Sequence, residues 1–220
     1  TVAGTQILKS INALGDSTPS SVAVLGDKIL MNASNGSHGQ EPWISDGTAA
    51  GTIALGDLNT VGASSDPSGM TKTTNRMFFS ADDWNHGREL WVKDANGTRM
   101  VADKNPFGYG SPEYLTAFGD NVVYRYNDGI HGNELWFSDG TANGTIRLTN
   151  AVTNGDSNPE GMTAFGNKVI FRMYDPTNGW EPWITDGTLL GTTLLKDIRS
   201  GGDSYPSDFT MVGSKMFFLA

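Results

Sequence analysis

Residues 133–145 read NELWFSDGTANGT, and this combination of an acidic residue, an aromatic residue and a turn recurs in the chain. Related segments are QEPWISDGTAAGT at 40–52, RELWVKDANGT at 88–98 and WEPWITDGTLLGT at 180–192. The glutamates that anchor the four copies are separated by 48, 45 and 47 residues; they are Glu41, Glu89, Glu134 and Glu181. A period of this length indicates a propeller or a solenoid built from one repeated unit.

Each repeat contains four short strand signals. Around Glu181 these are GMTAF at 161–165, KVIFRMY at 168–174, EPWIT at 181–185 and TTLLKDI at 192–198. Gly-Asn at 166–167 and Asp-Gly at 186–187 are residue pairs typical of tight turns. Because no helical period is present, we predict an all-β fold of four-stranded antiparallel repeats of about 47 residues, the pattern of propeller blades.

The two ends of the chain predict ring closure. Residues 1–5, TVAGT, align with 48–52, TAAGT, so the chain begins with the fourth strand of a repeat. It ends with FTMVGSKMFFLA at 209–220, which matches the first two strands. We therefore predict one five-bladed β-propeller domain over residues 1–220, in which the N-terminal strand closes an incomplete last blade. An open array of stacked units, or strand exchange within an oligomer, is the alternative.

The composition excludes several classes of function. With 15 Lys and Arg against 24 Asp and Glu, the net charge is −9, and no basic stripe is present to bind nucleic acid. The apolar runs are too short for membrane insertion. The chain has no cysteine, hence neither a disulfide nor a thiolate metal site. Known catalytic and cofactor motifs are missing, so we expect neither catalytic residues nor an organic cofactor.

The repeated ELW-x-SDGT pattern, with the flanking strands that accompany it, resembles the bacterial ELWxxDGT repeat family. Pro42 and Pro182 replace the leucine in two copies, and the turn at 94–98 is shortened. The resemblance implies a secreted or cell-surface protein. The unit length and the five-fold count are also similar to those of tachylectin-type five-bladed lectins, which by analogy of architecture implies carbohydrate binding.

The repeated aromatic and acidic residues have two interpretations each. The tryptophans two residues after each glutamate share its strand face, and we predict that they pack between blades; they are Trp43, Trp91, Trp136 and Trp183. Sugar stacking is the alternative. The glutamates either hold loop N–H groups or accept hydrogen bonds from glycan hydroxyls. Four equivalent carboxylates do not form the asymmetric pair that glycoside hydrolysis requires.

All three histidines occupy one register. His38, His86 and His131 each stand three residues before the repeat glutamate, and Asn178 takes this place in the fourth copy. Turn capping suits both residue types because both tolerate left-handed geometry; ligand binding is the alternative, and shared metal binding is disfavoured because the histidines belong to different blades. We predict that the aspartates of the Asp-Gly segments form Asx turns. The alternative is that these carboxylates bind calcium.

Trp84 and Trp180 break the repeat, and we place both in the loops between second and third strands, as sugar-stacking platforms. The sequence thus predicts a secreted or surface carbohydrate-binding module of lectin or adhesin type. The alternative is a structural or protein-interaction propeller segment without a small ligand, and a glycan-active enzyme is a third reading. The candidate ligand-binding residues are His38, Glu41, Trp84, His86, Glu89, His131, Glu134, Asn178, Trp180 and Glu181.

Overall fold

The computed structural model describes residues 4–220. These residues form eighteen β-strands and no α-helix, and the strands group into five antiparallel sheets in chain order. Consequently no helix in the described part of the chain is long and apolar enough to cross a membrane.

The sheets are numbered 1 to 5 along the chain. Sheet 1 comprises β1 (Ser20–Leu25), β2 (Lys28–Ser34), β3 (Gln40–Ser45) and β4 (Ile53–Ala54). Sheet 2 comprises β5 (Ser68–Lys72), β6 (Met77–Asp82), β7 (Arg88–Asp94) and β8 (Gly97–Ala102). Sheet 3 comprises β9 (Glu113–Phe118), β10 (Asn121–Asn127), β11 (Asn133–Ser138) and β12 (Ile146–Arg147). Sheet 4 comprises β13 (Glu160–Phe165), β14 (Lys168–Asp175), β15 (Gly179–Thr185) and β16 (Thr193–Leu194), and sheet 5 comprises β17 (Ser207–Val212) and β18 (Lys215–Leu219).

The prediction of four antiparallel strands per repeat is confirmed, but the fourth strand is shorter than predicted. In sheet 4 it covers Thr193–Leu194 and not 192–198. After the amide of Leu195 bonds the carbonyl of Pro182, the chain turns so that the amide of Ile198 donates to the Glu181 carboxylate. The backbone that the sequence pattern assigned to a strand is therefore hydrogen-bonded to the Glu181 side chain and not to a neighbouring strand.

Every first strand begins with the same irregular backbone. A proline directly precedes each first strand, and the residue before this proline has a positive φ of 41° to 50°. Left-handed geometry of this kind is uncommon for residues other than glycine. These five residues are Thr18, Asp66, Ser111, Asn158 and Tyr205. A β-bulge follows in each first strand, where it bends the strand and re-aims its side chains. The five-fold repetition indicates that this entry geometry is part of the architecture.

The core lies between successive sheets. Phe78 and Leu90 of sheet 2 pack with Tyr124 and Trp136 of sheet 3, and Leu135 of sheet 3 belongs to the next cluster, which reaches into sheet 4. The repeat tryptophans Trp43, Trp91 and Trp136 are only 6–8 % exposed. The predicted packing between repeats is confirmed for Trp136, which joins the cluster of sheets 2 and 3, and for Trp183, which packs on the cluster of sheets 3 and 4. Trp91 packs with Leu58 from the segment between sheets 1 and 2, whereas Trp43 packs only within sheet 1 and against Ile11.

The predicted closure of the last sheet by the N-terminal strand is not observed. The first strands of consecutive sheets pack side by side in chain order, but the sheets do not close into a ring. Residues 5–10 form no strand, and residues 1–3 of the predicted strand lie outside the described residues. Residues 5–10 are exposed, and the contacts of this segment are with sheet 1 instead, where Lys9 Nζ donates to the carbonyl of Thr52 and the following Ile11 packs on the Trp43 cluster.

The packing of Trp136 predicts a large cost for its removal. We expect Trp136→Ala to lower the free energy of unfolding by about 3–5 kcal/mol, because it leaves a cavity between sheets 2 and 3. Denaturant unfolding followed by circular dichroism measures this change. Trp84→Ala is the matched control, because Trp84 is 65 % exposed, and it should change stability by no more than about 0.5 kcal/mol. Equal losses in the two variants would contradict the packing role.

Candidate functional site

The segments that join successive sheets are anchored by the repeat glutamates. We name these segments connectors 1 to 4; they cover residues 55–67, 103–112, 148–159 and 195–206. Glu41 accepts hydrogen bonds from the amides of Leu58 and Ser65 and from the Ser65 hydroxyl. Glu134 accepts from hydroxyl groups at both ends of connector 3, those of Thr149 and Ser157. The predicted role of these carboxylates in holding loop donors is confirmed.

The same connector residues also bond both neighbouring sheets. The amide of Ser157 donates to the carbonyl of Asn133 in sheet 3, and the carbonyl of Ser157 accepts from the amide of Tyr174 in sheet 4. Ser65 makes the corresponding bonds to Gln40 and Asp82. Each buried glutamate thus fixes a segment that ties one sheet to the next.

In sheet 2 a tyrosine hydroxyl replaces the connector serine as a hydrogen-bond donor to the glutamate. Gly110 stands where the other connectors have a serine, and the Tyr126 hydroxyl from sheet 3 donates to the Glu89 carboxylate at 2.6–2.7 Å. A Cβ atom at position 110 would lie 1.9 Å from the Tyr126 ring, so glycine is required there. Burial raises the pKa of Glu89 to about 8, and burial likewise raises the pKa of Tyr126.

The four glutamates are not presented to solvent. Their exposed fractions are 0–4 %, and each carboxylate accepts hydrogen bonds from a connector or, for Glu89, also from Tyr126. A ligand would reach these oxygens only by displacing a connector. Glycan binding by the glutamates stays a prediction that the geometry does not favour.

The histidines cap the loops between second and third strands, as predicted. Nδ1 of His86 lies 2.7 Å from Asp83 Oδ2, and Nδ1 of His131 lies 2.7 Å from Asp128 Oδ2. His38 pairs with Asn35, and Asn178 donates to Asp175 in the same way. The proposed left-handed geometry was wrong, because it belongs to the glycine after each of these residues; these are Gly39, Gly87, Gly132 and Gly179.

The Asp-Gly turns are closed internally. Oδ1 of Asp46 accepts from both the amide and the hydroxyl of Thr48, and Asp139 and Asp186 repeat this arrangement with the threonines that follow them. The Asx-turn interpretation is therefore confirmed. Within residues 4–220, no group of three or more His, Asp or Glu side chains is placed to hold a metal ion. Calcium binding stays a prediction.

Trp84 is the most unusual of the predicted site residues. It occupies the place that Gly36 and Gly129 take in sheets 1 and 3, and it adopts φ = 73° where those glycines have 84° and 78°. A bulky residue in this region is a genuine outlier, and such strain clusters at functional sites. The side chain is 65 % exposed, so packing does not explain why tryptophan occupies this position.

Trp84 borders an open aromatic cleft of about 230 Å³. One wall is the loop 84–87, and the other is formed by residues 106–109 of connector 2. Phe107 is 99 % exposed and Tyr109 is 63 % exposed. Asp83 engages Nδ1 of His86 and raises its pKa through this hydrogen bond, which leaves Nε2 for a further partner. The cleft therefore combines exposed ring faces with a polar nitrogen.

A second cleft lies on the other side of the same connector. It has a volume of about 420 Å³, and its walls are residues 104–109 and the loop 127–130 of sheet 3. Ile130 in this loop is 68 % exposed. The aromatic tip of connector 2 thus separates two depressions at one end of the sheets.

Trp180 differs from Trp84 in its surroundings. It was predicted in a loop, but it lies in β15, because the hairpin that joins β14 to β15 is tighter than the sequence indicated. Its ring stacks on Tyr205 at 6.3 Å between centroids, and the Arg172 guanidinium lies 5.7 Å from its ring centroid. The two tryptophans belong to sheets 4 and 2 and do not form one platform. A sugar-binding role for Trp180 stays a prediction.

The sequence reasoning missed Phe107 and Tyr109. Their signal is the segment PFGY at 106–109, which replaces TNGD at 153–156 and SGGD at 200–203 in the equivalent connectors. Two aromatic residues in a turn that elsewhere carries small and polar residues mark a surface specialised in this repeat.

Comparison with known proteins supports the fold alone. No protein-family model matches the chain, and no curated protein matches it significantly. A solved puromycin hydrolase structure is similar over 93 % of this chain and 33 % of its own, at 14 % identity and a TM-score of 0.55. A prolyl endopeptidase structure is similar over 91 % of this chain and 32 % of its own, at 11 % identity and a TM-score of 0.55. A Mycobacterium tuberculosis puromycin-hydrolyzing peptidase is similar over 93 % of this chain and 33 % of its own, at 12 % identity and a TM-score of 0.52.

The chain spans about a third of the length of these proteins. At such low identity the likeness shows a shared β-propeller-like repeat architecture and carries no activity with it. The resemblance to the ELWxxDGT repeat family stays a prediction.

The buried carboxyl of Glu89 predicts a pH dependence of stability. In the unfolded chain it ionises near pH 4.5, whereas in the folded protein it keeps its proton to about pH 8. Between these values the folded state binds more protons, so this group lowers the free energy of unfolding as the pH rises. Glu89→Gln has no such proton, and the stability of the native chain relative to this variant should fall between pH 4.5 and 8. Denaturant unfolding at pH 4–9 measures the difference, and a constant value would contradict it.

Proposed function

We propose that this chain is a carbohydrate-binding module of lectin or adhesin type that acts outside the cell or at its surface, by binding and not by catalysis. The observation that carries the proposal is Trp84, a strained and exposed tryptophan beside an aromatic cleft. Glycine would fit this backbone without strain, as it does in sheets 1 and 3. The tryptophan is therefore best explained by a surface partner.

The chemistry of the cleft suits a sugar. Sugar rings have apolar C–H faces and a rim of hydroxyl groups, which match exposed aromatic faces and neighbouring polar groups. Trp84 and Tyr109 supply the ring faces, while His86 Nε2 and the Asn85 amide supply polar partners. The volume of about 230 Å³ is below the roughly 300–1,000 Å³ of typical small-molecule pockets. This size favours one exposed residue of a larger glycan.

The proposal differs from the sequence interpretation in the number of strong sites. The glutamates are buried, and only sheet 2 carries a tryptophan in its loop between second and third strands. Sheet 1 has an open depression of about 410 Å³ between residues 12–15 and 35–37, but that depression has no aromatic wall. We propose one principal glycan site at Trp84, with weaker related sites that add avidity.

Protein binding is the second candidate, and the exposure of connector 2 favours it. Phe107 is almost fully exposed, and with Tyr109 it separates the two clefts, while the exposed Ile130 lines the facing wall of the second cleft. Aromatic residues of this kind are enriched at protein interfaces. A propeller segment that binds another surface protein through connector 2 would use the same residues.

A glycan array with the fluorescently labelled chain tests the proposal. We expect binding to one class of sugars, and Trp84→Ala and Tyr109→Ala should each weaken it at least about tenfold, or ~1.4 kcal/mol. Leu190→Ala is the matched control, because Leu190 is 94 % exposed in the 186–191 turn at the opposite end of the sheets. Runs with calcium and with chelator test the Asp-Gly turns as calcium sites.

Two results would count against the proposal. Binding that survives both aromatic substitutions would place the glycan site elsewhere on the chain. No binding to any glycan at high valency would remove the lectin function and favour a protein partner at connector 2.

A further inference from the structure

A cavity of about 390 Å³ lies between sheets 4 and 5, where their first strands begin. One wall is the start of β13 together with Arg172 of β14, the other wall is formed by residues 206–209 at the start of β17, and Tyr114 of β9 also lines the cavity. The volume falls within the roughly 300–1,000 Å³ of small-molecule sites. None of these residues lines the cleft beside Trp84, so the cavity is distinct from the proposed glycan site.

Sheet 3 contains the same strand arrangement, but there an aromatic ring fills the space. Arg125 bonds Glu113 across the first two strands through two of its nitrogen atoms, and its guanidinium lies 4.6 Å from the centroid of the Tyr114 ring. This distance indicates a cation–π contact. Tyr114 has a φ of 53°, and a bulky residue in left-handed geometry is strained. The contact between ring and guanidinium offsets part of this strain.

Sheet 4 has the arginine but lacks the ring. Arg172 donates to Glu160 at 2.8 Å, and the two residues are paired across β13 and β14 as the ion pair of sheet 3 is paired across β9 and β10. Gly161 occupies the position that Tyr114 has in sheet 3, with a φ of 66°. Both Gly161 and Arg172 line the cavity. The space that an aromatic ring fills in sheet 3 is therefore open in sheet 4.

The wall from sheet 5 supplies a negative charge. Asp208 is exposed, it forms no ion pair within residues 4–220, and its carboxylate accepts a long hydrogen bond from the Ser207 hydroxyl at 3.4 Å. The charge of Arg172 is already neutralised by Glu160. The uncompensated charge of the cavity is therefore that of Asp208, and the net charge of −9 on the whole chain also favours a cationic ligand.

We propose that this cavity binds a small aromatic amine. The ring of the ligand stacks on the Arg172 guanidinium, as the tyrosine ring does on the arginine of sheet 3. The ammonium group of the ligand pairs with the Asp208 carboxylate, and Met162 and Phe209 provide apolar contacts for the ring. This inference does not depend on the glycan site.

Titration calorimetry at pH 7 with three probes tests the proposal. Tyramine has both the ring and the amine, butylamine lacks the ring, and 4-hydroxyphenylacetate carries a carboxylate in place of the amine. We expect tyramine to bind, and each of the other two probes to bind at least about threefold more weakly. Asp208→Asn should weaken tyramine binding by about three- to fivefold, because it removes the partner of the ammonium group. Asp27→Asn, at an exposed position in the turn between β1 and β2, is the matched control and should leave binding unchanged.

The most direct variant is Gly161→Tyr, which introduces the side chain that sheet 3 has at this position. The backbone at Gly161 already has nearly the φ of Tyr114, and a Cβ atom there would lie 3.5 Å from the Phe209 ring, an ordinary contact. The new ring should occupy the cavity and weaken tyramine binding at least about tenfold. Circular dichroism verifies that the variant folds, and the three probes and Asp208→Asn test the site even if it does not.

Three results would overturn the proposal. The first is a native chain that does not bind tyramine, or that binds butylamine or 4-hydroxyphenylacetate as tightly. The second is tyramine binding that is unchanged in Asp208→Asn or in a folded Gly161→Tyr variant. The third is tyramine binding that Trp84→Ala abolishes, because the amine would then bind in the cleft of the proposed glycan site.

Discussion

The fold depends on a buried carboxylate that binds the segment between two sheets. A carboxylate removed from water is costly unless hydrogen bonds replace its hydration. Glu41 and Glu134 recover these bonds from amides and hydroxyls of connectors 1 and 3, whose backbones also bond both neighbouring sheets. One side chain per repeat thus fixes the connector, and the connector holds adjacent sheets face to face so that the tryptophans can pack between them.

This arrangement also explains where function can vary. The glutamate holds the two ends of a connector, but it places no constraint on the side chains at the connector tip. In connector 2 the tip carries Phe107 and Tyr109, and it lies beside Trp84 in the adjacent loop. Loops on a rigid scaffold commonly carry binding residues for this reason. Sheet 2 even tolerates the replacement of the serine by Gly110, because the Tyr126 hydroxyl restores the lost hydrogen bond.

The local features of the repeat could be read from the sequence, and the long-range ones could not. The first three strands, the Asx turns and the packing of Trp136 follow from alternation, turn residues and residue size. The short fourth strand could not be predicted, because it ends where Glu181 captures the amide of Ile198. Of the residues that line the aromatic cleft, the sequence indicated Trp84 and His86 but not Phe107 and Tyr109, because the second wall comes from connector 2, more than twenty residues further along the chain.

The central claim is that the glutamate and its connector act as one unit, and a double-mutant cycle on Glu134 and Ser157 tests it most directly. Free energies of unfolding would be measured for the native chain, Glu134→Ala, Ser157→Ala and the double variant. The account predicts a coupling energy of about 1–3 kcal/mol, the usual range for a hydrogen bond to a charged or buried group. A coupling below about 0.5 kcal/mol, as for independent sites, would contradict the claim that this bond holds sheets 3 and 4 together.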